Sequence, residues 1–207
     1  MGVKVISRPP DYAKLIGAGL AGTMKKASMY LQSSAIKKID SGVSPANKPL
    51  TQAVKKGART LRDSSELVKS IAPHSGELWA DASSNLRYAR IQQEGGTIRP
   101  KDAKALFIPA SAETRKLMGT YGARSPRSLI EAMKADGYGF YKAGKAFFTY
   151  KKSTGKRGKR GKEFILFIIS KSVKIPPRPF LYIDEKDQAY LMKLVQEGVM
   201  NALKGRN

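Results

Sequence analysis

The chain has 207 residues, 41% of them hydrophobic, which is enough to bury a real core in one domain. It contains no cysteine, so disulfides, thiolate metal sites and cysteine nucleophiles are excluded. Its 39 Lys and Arg against 16 Asp and Glu give a net charge of +23, a field that favours a polyanionic neighbour: nucleic acid, an acidic protein surface or anionic lipid.

Asp11, after Pro9 and Pro10, is a good N-cap. Behind it Ile16, Leu20, Met24, Ala27, Leu31, Ala35 and Ile39 recur at spacings of three and four, which predicts one long amphipathic helix over 12–39. Residues 40–62, with Gly42, Pro45 and Pro49, read as a mobile connector. Asp63 and Glu66 have the spacing of a capping box before a short helical turn, whose apolar side is Leu67, Val68 and Ile71. Leu78–Ala82 alternates as a strand, with Trp79 on one face as a core anchor or an interface anchor, the core being the favoured place. Leu86–Glu94 has helical spacing and stops at Gly95-Gly96. Ala105–Pro109 is a short apolar strand, and Ser125–Ala135 a helix with Pro126 in its first turn.

Residues 138–169 read as a meander. Its last member, Phe164–Ile169, is apolar on both faces, as a central strand is. Pro176, Pro177 and Pro179 cannot sit inside a ladder, because proline lacks the donor, so Lys174–Leu181 is expected to be a stiff extended arm ending in a buried Phe180-Leu181 anchor. The final helix spans 184–204, capped by Asp184, stopped by Gly205, and buried through Leu191, Leu194, Val195, Gly198 and Ala202. The predicted class is α+β: N-terminal and C-terminal helices packed on a mixed or antiparallel sheet, with a protruding basic hairpin, in a single domain over 1–207.

Gly17-Ala18-Gly19-Leu20-Ala21-Gly22 matches G-x-G-x-x-G, but a dinucleotide site needs a strand before its first glycine. The preceding residues read as helix, so the expected role is close helix packing or a bend where small residues let a neighbour approach, and no cofactor is expected. His74, the only histidine, stands beside Ser75 with Asp81 downstream, with no catalytic signature around it; a surface turn is expected. No catalytic or metal-binding residue is assigned.

The sharpest charge feature is Lys151–Lys162, where Lys151, Lys152, Lys156, Arg157, Lys159, Arg160 and Lys162 alternate with glycines between two apolar strands. Such a loop suits a phosphate backbone without reading base sequence, or an acidic protein neighbour.

Four ordered segments resemble the phage virion-morphogenesis, or tail-completion, family of Mu-like phages. They are Thr60–Ile71, Tyr88-Ala89-Arg90-Ile91-Gln92-Gln93-Glu94-Gly95-Gly96, Leu106-Phe107-Ile108-Pro109, and Val173–Leu181 with its Ile175-Pro176-Pro177-Arg178-Pro179-Phe180 exit. Ser65 departs from the family pattern, which usually has glycine there, and Gln93-Glu94 replaces a common aromatic.

The resemblance implies a structural protein, not an enzyme, that completes the tail tube and helps join tail to head in the virion, after assembly in the host cytoplasm. It implies a ring, six copies being the expected number, since head-to-tail contacts close into rings when the rotation permits. The implied neighbours are tail-tube and sheath subunits, connector or neck proteins, and DNA passing through the channel, with no membrane. The implied protein-interface residues are Tyr88, Gln92, Gly95, Gly96, Ile175, Pro176, Pro177, Arg178, Pro179 and Phe180. The alternative reading is a basic nucleic-acid-binding protein that is indifferent to base sequence.

Overall fold

A computed structural model describes residues 12–55, 59–152 and 161–204, with side chains from residue 19 onward. The class is α+β, and every strand pair is antiparallel. The contacts sort into two compact units, a division the sequence does not announce. The first takes the described residues of Met1–Val43, Ser64–Gln93 and Pro179–Asn207; the second takes those of Ser44–Asp63 and Glu94–Arg178.

In the first unit, α1 (Tyr12–Ser41) carries the expected stripe, with Leu20, Met24, Ala27, Ala35 and Ile39 buried. It packs on the final helix, here α7 (Glu185–Lys204), and on a hairpin of β1 (Ile71–Ser75) and β2 (Ala80–Ser84). Small residues set the distance between the two helices: a Cβ on Gly19 would lie 2.7 Å from Ala202 Cβ, and one on Gly198 would lie 2.4 Å from Thr23 Oγ1. The G-x-G-x-x-G run therefore lies inside α1, and Gly19 serves helix packing as expected. Tyr30 and Tyr190 stack across the helix pair at 4.1 Å.

α7 begins with a reciprocal cap. Asp187 N donates to Asp184 Oδ1, and Asp184 N donates to Asp187 Oδ2, so two orphan donors are satisfied at once. The Asp187 carboxylate also receives Ser34 Oγ and Lys38 Nζ from α1.

Three local readings change here. Ile71 opens β1 instead of closing a helix, and Gln32 Nε2 donates to its carbonyl at 2.7 Å. The Asp63/Glu66 capping box does not form: α3 (Glu66–Ser70) is preceded by Ser65 at φ 63°, with no side-chain cap. The strand drawn over Leu78–Ala82 starts at Ala80, leaving Leu78 and Trp79 in the hairpin turn; Trp79 is 54% exposed and is not a core anchor.

In the second unit, β4 (Leu106–Pro109), β5 (Tyr138–Ala143), β6 (Ala146–Lys151) and β7 (Glu163–Ser170) form one sheet in the order β4-β7-β6-β5. The meander is as expected, and β7 lies internally, matching its apolar composition. Helices α5 (Ala112–Thr120) and α6 (Pro126–Ala135) supply the cover: Leu129 and Met133 are buried with Leu166 and Phe167 of β7. Ser125 makes a full capping box with Ser128, and Pro126 takes the first helical position. Buried Thr114 donates to Leu166 O at 3.0 Å, tying α5 to the central strand.

The segment read as a mobile connector carries α2 (Pro49–Val54) and a buried Asn47. It is held by side-chain bonds from within its own unit, described next. No helix among the described residues is long and apolar enough to cross a membrane.

Candidate functional site

The arm following β8 (Val173–Ile175) belongs to the residues that carry the resemblance. β8 pairs with β3 (Gly96–Ile98) in the register Gly96↔Ile175, Thr97↔Lys174 and Ile98↔Val173. The ladder ends at Ile175, where the prolines begin. Beyond it the side chains alternate: Pro177 and Pro179 are exposed, while Arg178 and Phe180 are buried.

Within the second unit, Gly95 meets Pro177. Gly95 has φ +75°, and a Cβ there would stand 2.7 Å from Pro177 N. Only glycine fits both the left-handed backbone and the approach. The guanidinium of Arg178 donates from Nε to Pro45 O at 2.8 Å and from a terminal nitrogen to Ala46 O at 3.1 Å. Burial lowers its pKa from the ordinary value. Arg115 bonds Asp63 at 2.7 Å beside Val54 O, and Lys55 donates to Arg59 O. Burial lowers the Lys55 pKa, with Asp63 opposing that shift and Arg178 and Arg115 adding to it. These cations hold Pro45, Ala46, Val54, Arg59 and Asp63 in place.

Within the first unit, α4 (Ala89–Glu94) ends in an amide clamp. Gln93 Oε1 accepts from Phe180 N at 2.8 Å and from Leu181 N at 3.0 Å, and Gln93 Nε2 donates to Leu181 O at 2.9 Å. The side chain supplies what a neighbouring strand would otherwise provide. Phe180 is fully buried and Leu181 half-buried, so the anchor rests chiefly on Phe180.

The ten residues assigned to a protein interface therefore differ in availability. Arg178 and Phe180 are committed to the chain's own packing. Gly95, Gln92, Ile175 and Pro176 are half-buried, and Gln92 Oε1 is buried without a hydrogen-bond partner. Tyr88 and Pro179 of the first unit, and Gly96 and Pro177 of the second, are exposed. Sequence reasoning quoted Gln93 but gave it no role; its glutamine identity just ahead of a glycine pair was the available signal.

Of the basic hairpin, Lys151, Lys152 and Lys162 are exposed at its mouth, where Gly161 N donates to Lys151 O at 3.0 Å and Tyr150 pairs with Glu163. Lys156, Arg157, Lys159 and Arg160 lie outside the described residues.

His74 is in β1, not in a turn, and it is exposed. Its Nδ1 faces both Asp81 Oδ1 at 2.9 Å and Ser83 Oγ at 3.3 Å. A hydrolase triad needs the acid and the nucleophile on opposite ring nitrogens, so this trio lacks that geometry. Among the described residues, no group of three or more His, Asp or Glu is placed to hold a metal ion. No family model, no curated protein and no solved structure matches this chain.

Proposed function

We propose that this chain is a virion structural protein that completes or caps a phage tail tube and helps join tail to head, working as a ring through protein–protein contacts. The observation that carries this reading is the meeting of Gly95 with Pro177, which brings together two of the segments on which the resemblance rests. The left-handed backbone at Ser65, where the family pattern has glycine, supports it from a third segment. A run of prolines with fixed backbone angles suits a docking surface, because little conformational freedom is lost on binding.

The test is electron microscopy of particles assembled with and without the chain. Without it, tails should be of irregular length or separate from filled heads. Normal joined particles would end this reading.

A second reading, nucleic-acid binding indifferent to sequence, is favoured by the three exposed lysines at the mouth of the basic hairpin and by the +23 charge. It is tested by DNA binding as a function of salt, with and without residues 151–162. A steep slope of log affinity against log salt, lost on deletion, supports it, since each neutralised phosphate contributes about −0.9 to that slope. Equal binding by both forms removes it.

A further inference from the structure

Among the described residues, two apolar surfaces of the first unit are left exposed. One is the tip of the β1–β2 hairpin. Gly76 N donates to Trp79 O at 2.9 Å and closes the turn, leaving Leu78 and Trp79 more than half exposed. The indole lies across Gly76, where an added Cβ would be 2.3 Å from Trp79 Nε1. The ring is therefore held in place before any partner arrives, which lowers the entropy cost of using it as an anchor.

The other surface is on α7. Its side toward α1 carries Gly198 and Ala202, with Asp187 and Tyr190 bonded or stacked to α1 further along. At 100° per residue, Met192, Val199, Met200 and Leu203 gather within an arc of about 100° on a different side. Met192, Met200 and Leu203 are half or more exposed, and Val199 is half-buried. Methionine-rich faces adapt to an inserted ring.

The charges beside the two surfaces are opposite. Glu77 and Asp81 flank the hairpin tip and are exposed, with His74 the basic neighbour against Asp81. Lys193 and Lys204 line one edge of the α7 stripe and are exposed, with Glu197 beyond them. In a chain of +23, an acidic margin beside an exposed tryptophan marks a site that a basic partner surface fits.

We infer that the Leu78–Trp79 tip of one copy docks on the Met192–Leu203 stripe of the next, with Glu77 facing the Lys193/Lys204 edge. Knob and stripe are different patches, so the contact is head-to-tail and closes into a ring where the rotation permits. This deepens the ring reading above and names its interface.

The test uses the full chain in sedimentation experiments at tens of micromolar, with circular dichroism to check folding. Each substitution is at an exposed side chain. The unaltered protein should oligomerise. The double variant Leu78→Ser/Trp79→Ser and the double variant Met200→Glu/Leu203→Glu should each associate at least tenfold more weakly. Mixing the two variants leaves one intact knob and one intact stripe per pair, so heterodimers and nothing larger should form. Glu77→Lys should weaken association, and Lys193→Glu/Lys204→Glu should restore it.

Oligomers indifferent to all these changes, or mixtures that stay monomeric, overturn the interface while leaving ring assembly standing. A wild-type protein that is monomeric throughout overturns self-docking, and the tail role is then judged separately by particle morphology.

Discussion

The side-chain oxygen of Gln93 accepts the backbone N–H of Phe180 at 2.8 Å, and the same oxygen takes the next N–H, of Leu181, at 3.0 Å. One amide thus stands in for a strand edge where prolines forbid a ladder. Replacing Gln93 by Ala strands two backbone donors and the Leu181 carbonyl. The expected cost is about 1–3 kcal/mol, the penalty for unpaired buried polar groups, read from the urea midpoint at unchanged slope. A loss below about 0.5 kcal/mol would mean that water replaces the amide without penalty.

Gly95→Ala should be at least as damaging. The added methyl meets both the left-handed φ of +75° and the Pro177 nitrogen at 2.7 Å. Backbone strain of this kind costs about 1–3 kcal/mol before any steric displacement. Gly22→Ala is the control: it lies in α1 with nothing within 4 Å of an added Cβ, and it should be neutral or stabilising. Equal stability of the two variants in thermal melts would refute the Gly95–Pro177 constraint.

Ser65→Gly should stabilise the protein. Ser65 sits at φ 63°, a left-handed conformation that glycine adopts without the steric cost a serine Cβ brings. A gain of about 0.5–1 kcal/mol is expected, minus the extra freedom glycine gives the unfolded chain. Chemical denaturation measures it, and a clear loss of stability contradicts the assignment.

Acid should weaken the α1–α7 junction. Burial alone would raise the Asp187 pKa, but bonds from Lys38, Ser34, the Asp184 backbone and Tyr30 hold it down to about 2, against 3.8 ordinarily. A carboxylate whose pKa is depressed by folding stabilises above its unfolded pKa and loses that contribution as pH falls through the folded value. The difference is about 2 kcal/mol, present at pH 6 and lost progressively between about pH 4 and pH 2. Asp187→Asn should be less stable at neutral pH and should show a flatter acid limb in urea titrations. An unchanged limb would place the acid sensitivity elsewhere.

The periodic elements were legible because their burial is one-sided. The α1 stripe, the α6 cap, the β5–β7 meander and α7 all follow from spacing and caps. Elements that depend on distant partners were not legible. Ile71 reads as part of a helical turn because Leu67, Val68 and Ile71 keep helical spacing, and His74 reads as a turn, yet Gln32 and β2 claim this backbone as β1. β3 is three exposed residues whose only reason to extend is β8. α5, missed entirely, is mostly exposed and is announced only by the Ser111 cap, whose oxygen accepts from Thr114 N. Trp79 misled because its size suggests burial, while a four-residue turn with Gly76 beneath the ring holds it outside. At the candidate site, proline chemistry revealed the stiff arm and its buried Phe180 anchor, but not that Arg178 turns inward to hold it.

Because the first unit draws α1 and α7 from far-separated parts of the chain, its biosynthesis has a built-in delay. When α1 leaves the ribosome, the helix that covers Leu20 and Thr23 has not been translated. At about 5–20 residues per second the wait is on the order of ten to thirty seconds. During that interval the nascent chain presents an uncovered, lysine-bordered apolar helix to the cell. A trigger-type chaperone that shields such helices should raise the yield of native protein, and translation slowed before residue 185 should lower it.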